Sequence, residues 1–148
     1  MERFERSKAT VDRVFAFEFV PHKPAEVYRG VPDDLLPGYT WVNVGLEADS
    51  NGRFNPWRWL HKVATENDHI VVKLDIDSPL IENALVAQLL ASKPTQDLVD
   101  EMFYEHQVHM HLMRAHWYKH KPLIGTLRNS YDNVAALRRA GVRMHSWP

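Results

Sequence analysis

Ile70-Val71-Val72-Lys73-Leu74-Asp75-Ile76-Asp77-Ser78-Pro79 is a nearly continuous apolar run that ends in two aspartates and turns into a helix start. Branched residues at consecutive positions suit a strand covered on both faces, as in a parallel sheet. Ligands of open α/β sheets bind at the carboxyl ends of the strands, so acids placed there are on a ligand or close to one. Asp75 and Asp77 therefore mark the expected site. Ser78 and Pro79 supply an N-cap and a first-turn proline, and Leu80, Ile81, Ala84, Leu85, Ala87, Gln88 and Leu89 continue at helical spacing.

The pattern repeats on both sides of this run. Val14 to Val20 is aromatic and branched, favouring a strand that reaches an acid at Glu18. Four prolines between Pro21 and Gly38 leave room for one short helix, Pro24 to Arg29. Tyr39 to Leu46 is the next extended run, followed by Glu47 and Asp49. Ser50-Asn51-Gly52 is a turn, and the segment to Asn67, with Trp57 and Trp59 but no clean period, reads as a loop with at most one helical turn. Downstream, a strand is expected over Asp100 to Val108, a helix over Ser130 to Ala140 with Gly141 as its stop, and a last strand over Val142 to Trp147. This order predicts an α/β fold with a mostly parallel sheet, in a single domain spanning residues 1–148.

Composition narrows the function classes. Eighteen basic and nineteen acidic side chains leave a net charge of −1, so no general nucleic-acid footprint is present. No apolar run approaches the roughly 20 residues of a membrane-spanning helix, and Met1 to Arg6 carry charges rather than a signal-peptide core, which predicts a soluble chain with no visible address. The absence of cysteine excludes disulfides, thiolate nucleophiles and Cys-ligated zinc.

Each acid has two readings. Glu18 can accept both hydroxyls of a ribose, or stand as a solvated acid at a strand end. Asp75 and Asp77 can orient a cofactor or substrate, bind Mg²⁺ through hard oxygen ligands, or cap the helix beginning near Ser78. Function suits Asp75 better, and capping suits Asp77 better. Glu105 and His106, at the end of the fourth strand, are the candidates for a substrate-facing acid/base pair. Five of the nine histidines fall between His106 and His120, and His109 and His111 would share one face of an extended segment. No metalloprotease-type spacing accompanies them, so loop chemistry and packing are the preferred reading and no metal-ligand set is assigned.

Taken together, the strand ends resemble those of the FkbM-type family of S-adenosylmethionine-dependent methyltransferases. Val14-Phe15-Ala16-Phe17-Glu18 resembles the family's second strand, whose terminal acid holds the cofactor ribose. Leu46 to Gly52 resembles the segment after its third strand, near the adenine. Val72-Lys73-Leu74-Asp75-Ile76-Asp77 resembles the Lys-hydrophobic-Asp-hydrophobic-Glu-Gly run at its fourth strand, and Met102 to His106 resembles its fifth. The resemblance covers about residues 11–147. It implies a Rossmann-like fold, S-adenosylmethionine as cofactor, Glu18 and Asp49 as cofactor contacts, and Asp75, Glu105 and His106 on the substrate side. The acceptor would be a small-molecule or glycan hydroxyl. Asp77-Ser78 replaces the family's Glu-Gly, and the family's first strand and its glycine-rich loop have no counterpart. Omitting a central strand leaves two edges unpaired, which is costly. The resemblance therefore implies an incomplete fold: a piece of a longer protein, a sheet completed by a protein partner, or two edges that pair directly. The rival reading is a non-catalytic structural or interaction subunit that keeps the fold. A His/Asp metal-dependent hydrolase rests only on residues 105–120.

Overall fold

The structure is a computed structural model that describes residues 10–108 and 124–147, so His109, His111 and the rest of the histidine-rich segment to His120 lie outside the described residues. The chain divides into two compact units, Met1–Leu46 and Glu47–Pro148.

In the first unit β1 (Val14–Phe17) and β2 (Tyr39–Val42) pair in parallel, with Val14 opposite Tyr39 and Phe17 opposite Val42. Between them lie α1 (Pro24–Arg29) and a 3₁₀ turn at Leu36–Gly38. The short helix falls where the prolines allow it, with Pro24 in its first turn, and Glu26 and Arg29 complementing its dipole. Both strands are shorter than the apolar runs that form them. Past Phe17 the ladder continues for one bond, Glu18 N to Val42 O at 3.1 Å. The Asn43 side chain then takes over, donating to the carbonyls of Glu18 (2.6 Å) and Val20 (2.9 Å). No described residue of this unit is fully buried, and Phe19 is 79% exposed. A two-stranded parallel sheet with one short helix has little to bury itself against.

The second unit holds a three-stranded parallel sheet in the order β3 (Val71–Leu74), β4 (Glu101–Tyr104), β5 (Arg143–Ser146). Val71 lies opposite Glu101, and Glu101 opposite Arg143. The fold is thus α/β and parallel throughout its described strands, as the alternation of runs predicts, but the strands form two separate sheets rather than one. Four helices accompany this sheet among the described residues: α2 (Pro56–Val63), α3 (Pro79–Ala91), α4 (Lys93–Leu98) and α5 (Leu127–Arg139). Leu85, Leu89, Met102, Leu137, Val142 and Met144 are the heart of the core.

Local chemistry sets the helix ends. The Asn55 side chain accepts from Trp57 N (3.1 Å) and Arg58 N (3.3 Å), and Pro56 opens α2, so a two-turn helix stands where lack of a clean period suggested a loop. A reciprocal box between Thr126 and Asn129 starts α5 three residues before the expected Ser130. Its end matches expectation: Gly141 adopts φ 101°, Val142 N closes on Leu137 O at 3.1 Å, and Arg138 donates twice to Met144 O. In α3 the Ser78 side chain makes no capping bond. The buried face of the helix includes Leu85 and Leu89 from the expected apolar pattern but not Leu80. Pro79, Glu82, Leu85, Val86 and Leu89 are buried, while Leu80 is 63% exposed. No helix among the described residues is long and apolar enough to cross a membrane.

Candidate functional site

The carboxyl ends of β3 and β4 are adjacent because the two strands pair in parallel and in register, Leu74 opposite Tyr104. Each strand then delivers an acid one residue beyond its end, Asp75 and Glu105. The turn after β3 adds Asp77, whose backbone is left-handed (φ 55°), a conformation that aspartate adopts more readily than most residues. One carboxylate oxygen from each of Asp75, Asp77 and Glu105 lies within 4.8 Å of the other two. A cation and an amide donor temper this charge. Lys73 Nζ sits 2.6 Å from Asp75 Oδ2, and the Gln107 amide donates to Asp77 (2.6 Å) and Glu105 (3.0 Å). Lys73 also lies over the Trp147 ring, 4.8 Å from its centroid.

A fourth acid stands behind the cluster. Glu82 is fully buried on the core face of α3, and its Oε1 accepts from Ile76 N, between the two aspartates, at 2.8 Å. Its Oε2 has no partner among the described residues. Burial pushes the Glu82 carboxyl up to about 7, the Ile76 amide works in the opposite direction, and the charges of Glu105, Asp75 and Asp77 raise it further. Once Leu85, Val86 and Leu89 are known to face the core, the place of Glu82 follows, since it precedes them by three, four and seven positions, the spacing of one helix face.

Residues after β4 alternate in direction. Glu105 belongs to the carboxylate cluster, whereas His106 is buried and stacks on Tyr104 at 5.1 Å between ring centroids. Neither ring nitrogen of His106 has a hydrogen-bond partner among the described residues, and burial lowers its basicity. His106 and Glu105 are thus not hydrogen-bonded to each other as an acid/base pair. Tyr104 itself donates to Asn83 Oδ1 at 3.3 Å, and burial, with the Glu82 charge, holds its hydroxyl protonated well above the ordinary range.

The two acids expected to hold a cofactor are engaged locally. Glu18, in the first unit, accepts the Val20 amide at 2.7 Å. Asp49, in the second, is exposed and accepts the Asn51 amide at 2.9 Å, shaping the turn before α2. Neighbouring Glu47 accepts from Phe54 N at 3.0 Å, and only a glycine at position 52 leaves room for its carboxylate. A separate groove of about 490 Å³ runs along α2, walled by residues that include Asn51, Arg58, His61 and Thr95. Its polar groups bond to one another, Arg58 to the Asn51 carbonyl at 2.7 Å and His61 to Thr95 at 3.0 Å, which fixes its walls.

No family model, curated protein or solved structure matches this chain. The class of protein is therefore defined by its own geometry: a parallel α/β protein with a carboxylate cluster at the carboxyl ends of two adjacent strands.

Proposed function

We propose that the chain is a methyltransferase-like domain of the FkbM type that supplies the acceptor-side wall of an O-methylation site and does not hold S-adenosylmethionine by itself. The observation that carries this reading is the carboxylate cluster of Asp75, Asp77 and Glu105 at the ends of parallel strands, where such folds place their ligands. Carboxylates there accept hydrogen bonds from the hydroxyls of a small-molecule or glycan acceptor. Asp75 or Glu105 is also placed to take the proton that an acceptor hydroxyl loses, a role that the buried His106 does not share.

The residues present do not fit the cofactor's methionine half. A cofactor cradle needs a glycine whose missing Cβ leaves space for the ligand. At Gly38 and Gly52 an added Cβ collides with this chain's own Asp12 and Glu47, at Gly45 it presses on the Phe19 ring, at Gly30 and Gly125 it makes ordinary contact with the adjoining helix, and Gly141 is a helix stop. Glu18 and Asp49 already accept backbone amides. Calorimetric titration with S-adenosylmethionine is expected to give no saturable heat up to about 1 mM ligand. Saturable binding that disappears in Glu18→Ala would overturn this and describe a self-sufficient methyltransferase.

One observation favours the alternative, a non-catalytic interaction subunit: no described residue of Met1–Leu46 is fully buried, although β1 is apolar and its fold type normally covers both sheet faces. Saturation-transfer NMR with a panel of monosaccharides separates the two readings. A sugar signal that the parent protein gives and Asp75→Asn does not supports the acceptor wall, and silence across the panel supports the interaction subunit.

A further inference from the structure

The groove along α2 has the size of a small-molecule site, about 490 Å³. Arg58, His61 and Lys62 line it together, because positions three and four apart share a helix face, and no carboxylate lines it. Trp57 and Ala91 add apolar surface. Charge pairing on other helices sets this face apart. At the same spacing Lys93 pairs with Asp97 on α4 and Arg128 with Asp132 on α5. Arg58 and Lys62 instead carry like charges four positions apart, an arrangement that repels, and neither makes an ion pair among the described residues. An anion between them relieves that repulsion.

The donors are also held in place. Arg58 spends one nitrogen, Nη1, on the Asn51 carbonyl at 2.7 Å, which orients its planar fork, and its other N–H groups have no partner among the described residues. His61 is held by Thr95, which is buried and lies 2.7 Å from Ser92 Oγ. Beneath the helix, the buried Asn55 side chain caps α2 and donates to the Glu47 carbonyl (3.2 Å) and to Gln88 (3.0 Å). A groove with such fixed walls loses little freedom when a ligand enters.

We propose that this groove binds a small phosphorylated organic molecule, with Arg58 and Lys62 on the phosphate oxygens and the organic part against Trp57 and Ala91. A phosphomonoester carries close to two negative charges at neutral pH and so matches two fixed cations, whereas a carboxylate matches one. The arginine fork suits two phosphate oxygens at once. A phosphate group alone fills only part of about 490 Å³, which leaves room for the organic part. This inference stands apart from the methyltransferase reading, because none of its residues lies at the ends of β3 and β4.

The test is a set of ¹H–¹⁵N correlation spectra of the full chain at low ionic strength, titrated with inorganic phosphate and with phenyl phosphate. Both are expected to give saturable shifts at the amides of Asn51, Arg58, His61 and Lys62, with a Kd of about 1–10 mM for inorganic phosphate. Phenyl phosphate should bind at least about threefold tighter, since its ring meets the apolar surface. Arg58→Gln should weaken phosphate at least about fivefold and Lys62→Gln about threefold. Lys62 is exposed and its side chain makes no hydrogen bond among the described residues, so that variant keeps the fold. Arg128→Gln removes the same charge outside the groove and should change the affinity by no more than about 1.5-fold. No saturable shift up to about 50 mM phosphate would overturn the proposal. Equal weakening in all three variants would do the same, because it would reduce the effect to bulk charge. Equal affinity for the two probes would overturn the assignment to an organic phosphate.

Discussion

Glu82→Gln is expected to stabilise the protein by about 3 kcal/mol at pH 8 in EDTA and to leave it nearly unchanged at pH 4. The carboxyl is raised from 4.5 to about 7 in the folded state, chiefly by burial. Between those values the folded chain binds a proton that the unfolded chain has released, so stability falls as pH rises. The contribution of the protonated acid is complete below about pH 4.5 and lost once pH passes about 7. Glutamine has the shape of the neutral acid, keeps an acceptor for the Ile76 amide and does not ionise, so the variant's profile should lack this slope. The substitution also removes a charge that those of Glu105, Asp75 and Asp77 oppose. Urea unfolding at pH 4, 6 and 8 checks the point. Parallel profiles for the two proteins would show that Glu82 is not held neutral by its surroundings.

Leu85→Ala is expected to cost about 3–4 kcal/mol, against about 0.5 kcal/mol or less for Leu80→Ala. Both leucines belong to the apolar pattern of α3, but Leu85 has no exposed surface and Leu80 is 63% exposed. Leu85 also anchors the second unit through its carbonyl, which accepts the Trp57 indole at 2.9 Å and ties α2 to α3. That bond is to the backbone and survives the substitution, so the loss is that of packing and the cavity left behind. A loss of this size is a large fraction of the stability of a typical domain. The urea midpoint of Leu85→Ala should fall steeply while that of Leu80→Ala stays near the parent. Equal shifts would show that the buried face of α3 is assigned wrongly.

The α3 helix also shows how far the sequence is legible. Its start and end can be read from Ser78-Pro79 and the apolar run, but the run is apolar on several faces, so periodicity selects no single one and the burial of Glu82 escapes it. The strands β1 to β3 are readable from their branched and aromatic residues, and Asp75 and Glu105 from their places at strand ends. Their meeting depends on the register of β3 with β4, which no local pattern contains. The α2 helix escapes for a different reason. Its eight residues are too few to show a period around Trp57 and Trp59, although Asn55-Pro56 is a recognisable cap. The division into two sheets is a matter of which strand edges find partners, and short apolar runs do not specify that.

If the carboxylate cluster is the functional centre of this protein, its backbone must report a ligand before any other part of the chain does. The direct measurement is a set of ¹H–¹⁵N correlation spectra recorded during addition of monosaccharides, the acceptor class proposed above, to the full chain. Saturable shifts concentrated at the amides of Ile76, Asp77, Glu105 and Gln107, absent in Asp77→Asn, are the expected result. Shifts confined to residues away from the ends of β3 and β4, or no shift at about 10 mM, would contradict it.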